Sequence, residues 1–177
     1  MSPSQQTPVP AVFLDRDGTI NEERGHIQTP EELVLLAGAA SAIRRLNASQ
    51  YLTVVVTNQS VIARGKCTEI DMKKIHNRLQ SLIGEFGASI DRIYYCPHHP
   101  NQLISGGRQD LKIVCDCRKP EPGLILRATK DMNIDLNKSW MVGDMTTDIE
   151  AAKRAGIRSI LLTKKDVSES QIPLRPD

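Results

Sequence analysis

Two carboxylates one residue apart close a short apolar run at positions 12–19, Val-Phe-Leu-Asp-Arg-Asp-Gly-Thr. Side chains alternate along an extended chain, so Asp15 and Asp17 start on the same side. Held together they repel, and a hard cation such as Mg²⁺ relieves the repulsion through oxygen ligands. With that cation bound, one carboxylate can attack a phosphorus atom and the other can move a proton. Three further polar sets sit at strand ends or turns. They are Thr57-Asn58-Gln59-Ser60, Arg118-Lys119-Pro120, and Gly143-Asp144 with Asp148. A lone Asp-x-Asp-Gly is more often a capped turn, and a lone Lys is more often solvated. Four such sets in this order weigh against both readings. Asp148 has two readings, a charge bracing a metal site or an acid in the first turn of a helix.

The segment 96–119 is too long to be an idle loop. Cys96-Pro97-His98-His99-Pro100 opens it and Cys115-Asp116-Cys117 closes it. Two ligands separated by one residue, twice, give Cys96, His98, Cys115 and Cys117. Three thiolates and one imidazole satisfy tetrahedral Zn²⁺ with no open position, so the site is structural. It would tie off a loop with no core of its own, directly before Lys119. His99 is the alternative ligand, but His98 repeats the offset that separates Cys115 from Cys117. Cys67 stands apart and reads as a bystander.

The elements that must carry these groups alternate. Strands are expected at Ala11–Leu14, Leu52–Val56, Ile90–Tyr95, Trp140–Val142 and Ser159–Leu162, read from short buried runs. Helices are expected at Gly38–Asn47, with Ala39, Ala42, Ile43 and Leu46 inward, and at Glu69–Phe86 after Thr68, with Ile75, Leu79, Leu82, Ile83 and Phe86 inward. A third begins at Pro122 and runs to Met132, and a fourth, Asp148–Ala155, is stopped by Gly156. Thr29 before Pro30 reads as an N-cap. This alternation implies an α/β fold with a doubly wound, parallel, Rossmann-like sheet. Ligands in such sheets sit beyond the carboxyl ends of strands, where the polar sets fall.

One domain over residues 1–177 fits the length, with residues 1–8 expected to be disordered. With 23 basic and 21 acidic residues the net charge is +2, which does not suggest a nucleic-acid or membrane-surface partner. Aromatics are 3%, too few for a base-stacking platform. No run approaches the roughly 20 apolar residues of a spanning helix. Four Cys without an export signal favour thiols or metal over disulfides. These features give the expectation of a cytoplasmic monomer. A zinc-ribbon-like nucleic-acid module would explain the Cys/His loop but not the strand-end sets.

The four sets resemble the four motifs of the haloacid dehalogenase superfamily, which is dominated by phosphatases. The resemblance implies Asp15 as nucleophile, forming an aspartyl-phosphate, and Asp17 as general acid and then base. It implies that Thr57 and Lys119 hold the phosphoryl group, and that Asp144 holds Mg²⁺ with Asp15 and the backbone carbonyl of Asp17. The match narrows over Phe13–Asn21, Thr57–Gly65, Tyr94–Pro100, Cys115–Pro120 and Met141–Asp144. These stretches resemble the D-glycero-D-manno-heptose-1,7-bisphosphate 7-phosphatase family, whose members serve nucleotide-heptose synthesis for surface polysaccharide. The histidinol-phosphate phosphatase domain shares the zinc loop and is the runner-up. Carried over residue by residue, the substrate contacts are Glu23, Arg24, Gly25, His26, Thr57, Asn58, Gln59, Ser60, Arg118 and Lys119. The implied ligand is a small sugar bisphosphate, with no cap domain and the zinc loop shaping the pocket. Val61 stands where the family usually has Gly. If that position needs φ > 0, a β-branched residue there costs roughly 1–3 kcal/mol.

Overall fold

The computed structural model describes residues 7–102 and 105–163. Five strands form one parallel sheet: β1 (Ala11–Leu14), β2 (Leu52–Asn58), β3 (Arg92–Cys96), β4 (Trp140–Gly143) and β5 (Arg158–Leu161), in the order β3-β2-β1-β4-β5. The order reverses at β1, which pairs with β2 on one side and with β4 on the other. That switch point opens a crevice at the carboxyl ends of β1, β2 and β4.

Alternation along β1 feeds two cores. Val12 and Leu14 pack with Val55 and with Ile43, Met72, Ile75, Leu79 and Ile83 of α1 (Ala39–Asn47) and α2 (Glu69–Gly84). Ala11 and Phe13 face the other way, with Val54 and Val56, onto α3 (Gly123–Met132) and α4 (Thr146–Ala155). Both faces of the sheet are thus covered, as the unbroken apolar strands require. The doubly wound α/β expectation holds. No cap-sized insertion separates the elements among the described residues. No helix there is long and apolar enough to cross a membrane.

Thr68 caps α2 in both directions, its hydroxyl accepting from Asp71 N–H and the Asp71 carboxylate accepting from Thr68 N–H. Several expectations shift. Helix α2 ends at Gly84, two residues before Phe86, so Phe86 leaves the periodic face and is 54% exposed. In α1 the buried positions are Ala40 and Ile43, and Ala42 instead borders a cleft of about 610 Å³ against β4 and β5. Thr29 does sit at the N-cap ahead of Pro30, but of the single 3₁₀ turn Pro30–Glu32 and without a side-chain capping hydrogen bond. Pro122 is the cap of α3 rather than its first residue. Strand β3 starts at Arg92, not Ile90, and β5 lies one residue earlier than the apolar pattern suggested. Val61 is buried and does not adopt φ > 0, so the strain expected there is absent; Asn133 is the only such non-glycine residue among those described. Most of the expected disordered start lies outside the described residues. Within the remainder, Thr7 and Pro8 are exposed coil and Val9 already bridges to Ile134.

Candidate active site

Strand β1 delivers Asp15 to the crevice and fixes it there. Asp15 N–H donates to Val142 carbonyl at 2.9 Å, which prolongs the β1–β4 ladder by one residue. The Asp15 carboxylate accepts from Arg16 N–H at 2.7 Å and pairs with Lys119 Nζ at 2.8 Å, both through Oδ1. Lys119 also meets Asp148 Oδ1 at 2.6 Å and donates to Val56 carbonyl at 2.9 Å. It is 3% exposed. Burial works against its charge, and the Asp15 and Asp148 carboxylates more than offset that, so its pKa lies above the ordinary lysine value. Asp148 is therefore no mere first-turn acid. It is fully buried, accepts from Met145 N–H, and is raised in pKa by burial against the pull of Lys119.

Asp144 completes a cluster. Carboxylate oxygens of Asp15, Asp144 and Asp148 all lie within 4.8 Å of one another. Burial, then the Asp15 and Asp148 charges, push the Asp144 carboxyl up to about 6. Its Oδ1 is buried and has no hydrogen-bond partner. A buried, unpartnered carboxylate oxygen beside two others is what an oxygen-seeking dication satisfies. Two glycines make the approach feasible. A Cβ on Gly18 would lie 2.0 Å from Asp144 Oδ2, and one on Gly143 would lie 2.2 Å from Asp148 Oδ2.

Asp17 is not in that cluster. Its carboxylate accepts from Arg16 (Nη2 to Oδ2 at 2.8 Å), Asn21 Nδ2 (2.8 Å) and Gln59 Nε2 (2.7 Å). Gln59 Nε2 also donates to Thr57 Oγ1 at 2.9 Å, which leaves the threonine hydrogen free for another acceptor. Asn58 grips the backbone of Lys119, accepting from its N–H at 3.0 Å and donating to its carbonyl at 3.1 Å.

The cleft over these groups has a volume of about 400 Å³. Asp15, Asp17, Glu23, Gly25, His26, Thr57, Asn58, Gln59, Ser60, Arg118 and Lys119 line it, as the motifs suggested. Arg24 does not; its guanidinium pairs with Glu22 at 2.7 Å. Met145 and Thr147 line the cleft as well. Thr147 was not read from the sequence, although its place just after Gly143-Asp144, at the start of α4, was the available signal. Arg64, in the turn after Ser60, has its Nη2 3.1 Å from His99 Nε2.

The four expected zinc ligands converge. Cys117 Sγ lies 3.2 Å from Cys96 Sγ, 3.5 Å from Cys115 Sγ and 3.3 Å from His98 Nδ1. Tetrahedral Zn²⁺ with Zn–S of about 2.3 Å sets ligand separations near 3.8 Å. A disulfide would need about 2.05 Å. The set therefore fits a closed metal cage, and His98 rather than His99 belongs to it. As bare thiols the three share protons unevenly: the contact with Cys96 holds Cys117 down at about 5, and the same contact pushes Cys96 up. Cys67 is buried elsewhere, against Thr68 carbonyl.

A doubly wound sheet whose switch point holds an Asp-x-Asp turn, a buried lysine and two further aspartates defines a HAD-like hydrolase. An HAD-hydrolase-like family model matches residues 116–176. The D-glycero-beta-D-manno-heptose-1,7-bisphosphate 7-phosphatase of Salmonella typhi is 42% identical over 156 residues, covering 88% of this chain and 81% of that protein. Its namesake in Rhodopseudomonas palustris is 40% identical over 158 residues, covering 89% and 86%. The crystal structure of D,D-heptose 1,7-bisphosphate phosphatase from B. bronchiseptica, complexed with magnesium and phosphate, superposes with a TM-score of 0.75 at 32% identity, covering 86% of this chain and 79% of that one. The chain belongs to the D-glycero-beta-D-manno-heptose-1,7-bisphosphate 7-phosphatase family.

Proposed function

We propose that the chain is a Mg²⁺-dependent phosphatase that removes the 7-phosphate of D-glycero-D-manno-heptose 1,7-bisphosphate through an aspartyl-phosphate on Asp15. The observation that carries the reading is the Asp15–Lys119–Asp148 ion triad beside Asp144, whose buried Oδ1 has no hydrogen-bond partner. Asp15, Asp144 and Asp148, with the Asp17 carbonyl, are the groups to hold Mg²⁺. The cation supplies charge neutralisation at the transferring phosphoryl group. Cys96, His98, Cys115 and Cys117 are the groups to hold a structural Zn²⁺.

Lys119 and the Arg16 N–H both fall on Asp15 Oδ1, which leaves Oδ2 for attack on phosphorus. The ester P–O bond breaks as the Asp15–phosphorus bond forms, and the departing alkoxide takes a proton from Asp17. Water then attacks the aspartyl-phosphate, gives its proton to Asp17, and releases phosphate. Lys119 and the free hydrogen of Thr57 face the equatorial oxygens during both displacements. Arg118, half-buried with its Nη1 on His98 carbonyl, lines the cleft, which supports it as the contact for the second phosphate.

The test is phosphate release from heptose 1,7-bisphosphate, hexose bisphosphates and histidinol phosphate, with Asp15→Asn as the blank. The heptose bisphosphate should be turned over fastest, and the blank should show nothing, because spontaneous phosphate-monoester hydrolysis is negligible. Preference for histidinol phosphate would move the chain to the runner-up reading.

A further inference from the structure

Arg16 lies between the two active-site aspartates, yet its side chain is the largest fully buried one among the described residues, at 0% exposed. A buried guanidinium must find partners for its donors. Nε and Nη2 grip the Asp17 carboxylate, at 3.1 Å and 2.8 Å, and Nη2 also donates to Gln59 Oε1 at 3.0 Å. The other end, Nη1, reaches α2. There it meets Met72 Sδ at 3.3 Å and His76 Nε2 at 3.3 Å.

His76 has only one way to make that contact. Arg16 can only donate, so Nε2 must carry the lone pair and the imidazole must be neutral with its hydrogen on Nδ1. Burial, then the Arg16 charge, lowers the His76 pKa to about 3, in keeping with that tautomer. The ring is 8% exposed and is held edge-on to Tyr95, with centroids 5.4 Å apart and an interplanar angle of 63°. A rigid acceptor on a helix thus fixes the far end of a planar fork. The near end fixes the carboxylate of Asp17 and, through Gln59, the side on which its second oxygen is held.

We infer that His76 is a positioning residue for the proton-transfer step, acting through Arg16 on Asp17 from α2, outside the substrate cleft. The inference rests on the proposed role of Asp17 as acid and base. Arg16 is the rigid link in this chain: a lysine there would carry the charge but could not span Asp17, Gln59 and His76 with one planar head. An orientation fault at Asp17 lowers kcat and leaves ground-state binding of substrate unchanged. In the first displacement it matters where the leaving oxygen needs a proton and hardly at all where it does not; hydrolysis of the aspartyl-phosphate, in which Asp17 is the base, is common to both kinds of substrate.

The experiment compares His76→Leu, which removes the acceptor, with His76→Gln, whose carbonyl can take its place. His76→Asn, too short to reach Nη1, stands in if the leucine variant does not fold. Each is assayed on heptose 1,7-bisphosphate, whose alkoxide needs a proton, and on 4-nitrophenyl phosphate, whose phenolate leaves without one. Asp17→Asn is the reference for the proton-transfer role. In single-turnover release of the alcohol or phenol, which reads the first displacement alone, His76→Leu should lose about tenfold on the sugar phosphate with half-saturation unchanged, and stay within about twofold on the aryl phosphate. His76→Gln should recover most of the loss. Equal loss on both substrates, a change in KM alone, or a glutamine variant as impaired as leucine would overturn the inference while leaving Asp17 in its role. If Asp17→Asn itself shows no split between the substrates, the proton-transfer reading of Asp17 falls, and the inference with it.

Discussion

Gly18→Ala is the sharpest test of how the site is built. Gly18 has φ of +77°, a left-handed conformation that costs an alanine about 1–2 kcal/mol. In a chain of this size that is a fall of roughly 2–8 °C in Tm. The larger consequence is local. The new Cβ would stand 2.0 Å from Asp144 Oδ2 and 2.5 Å from its Cγ. Ordinary contact begins at 3.4 Å, so the carboxylate must retreat by about 1.4 Å, the difference of 3.4 and 2.0. A displacement of about 1 Å at a reacting centre can cost roughly a hundredfold. Gly38→Ala separates the two effects, because Gly38 has φ of +85° with nothing within 4 Å of its added Cβ. Both variants should lose similar thermal stability. In a Mg²⁺ titration of phosphate release, Gly18→Ala should lose about a hundredfold in kcat/KM and need more Mg²⁺ for half-saturation, while Gly38→Ala keeps wild-type turnover. A folded Gly18→Ala protein within about threefold of wild type would refute the placement of Asp144 against this turn.

Three further outcomes follow from the charges and the thiols. Purified protein should carry about one equivalent of zinc by metal analysis, and Cys115→Ser should lose it together with activity, whereas Cys67→Ser should lose neither. Asp144 titrates at about 6 in the metal-free fold, raised by burial and then by Asp15 and Asp148, against 3.8 as its ordinary value. The folded state therefore holds that proton more tightly than the unfolded chain does. The stability this confers is complete below about pH 4 and is lost as pH rises through about 6. Asp144→Asn should thus raise the Tm of metal-free protein at pH 8 and leave it nearly unchanged at pH 4, as differential scanning fluorimetry would show. Arg118→Ala should narrow the gap in kcat/KM between a sugar bisphosphate and its monophosphate, mostly by harming the bisphosphate; equal loss on both would assign Arg118 to the transferred group or to the fold.

The strand-end groups were legible because a buried parallel strand is an apolar run, and a polar residue at its end has little reason to be there except a site. Asp15, Thr57 and Asp144 all follow that logic. The Cys/His cluster was legible from spacing alone, and it is His98 rather than His99 whose ring joins the three sulfurs. What the pattern hid were charges whose partners come from distant parts of the chain. Arg16 drew no reading of its own from the sequence, and only the fold brings it to Gln59, Met72 and His76. Asp148 had two readings until Lys119 was seen 2.6 Å away, 29 positions distant in sequence. Phe86 failed for a local reason: periodicity extrapolates a helix beyond the glycine where it stops.

Lys119 explains what a metal held by the Cys/His cluster would do for this fold. A buried ammonium is tolerable only when its partners are in place, and loss of one partner leaves an uncompensated charge. Asp15 comes from the end of β1 and Asp148 from α4, both rigid, but Lys119 comes from a segment with little core of its own. Three devices hold that segment. Cys117, two residues earlier, is buried in the thiol cluster; Asn58 pairs with the Lys119 backbone in both directions; and Gly123 N–H donates to Asp116 carbonyl at 2.9 Å, where a Cβ on Gly123 would clash. The far side of the loop is tied in too, with Arg108 N–H on Ala63 carbonyl at 2.9 Å and Gly107 packed against Gly65. A metal in the cluster would therefore anchor both the lysine and the turn that follows Ser60. Its removal should act on catalysis by loosening Lys119 from Asp15, well before it unfolds the sheet.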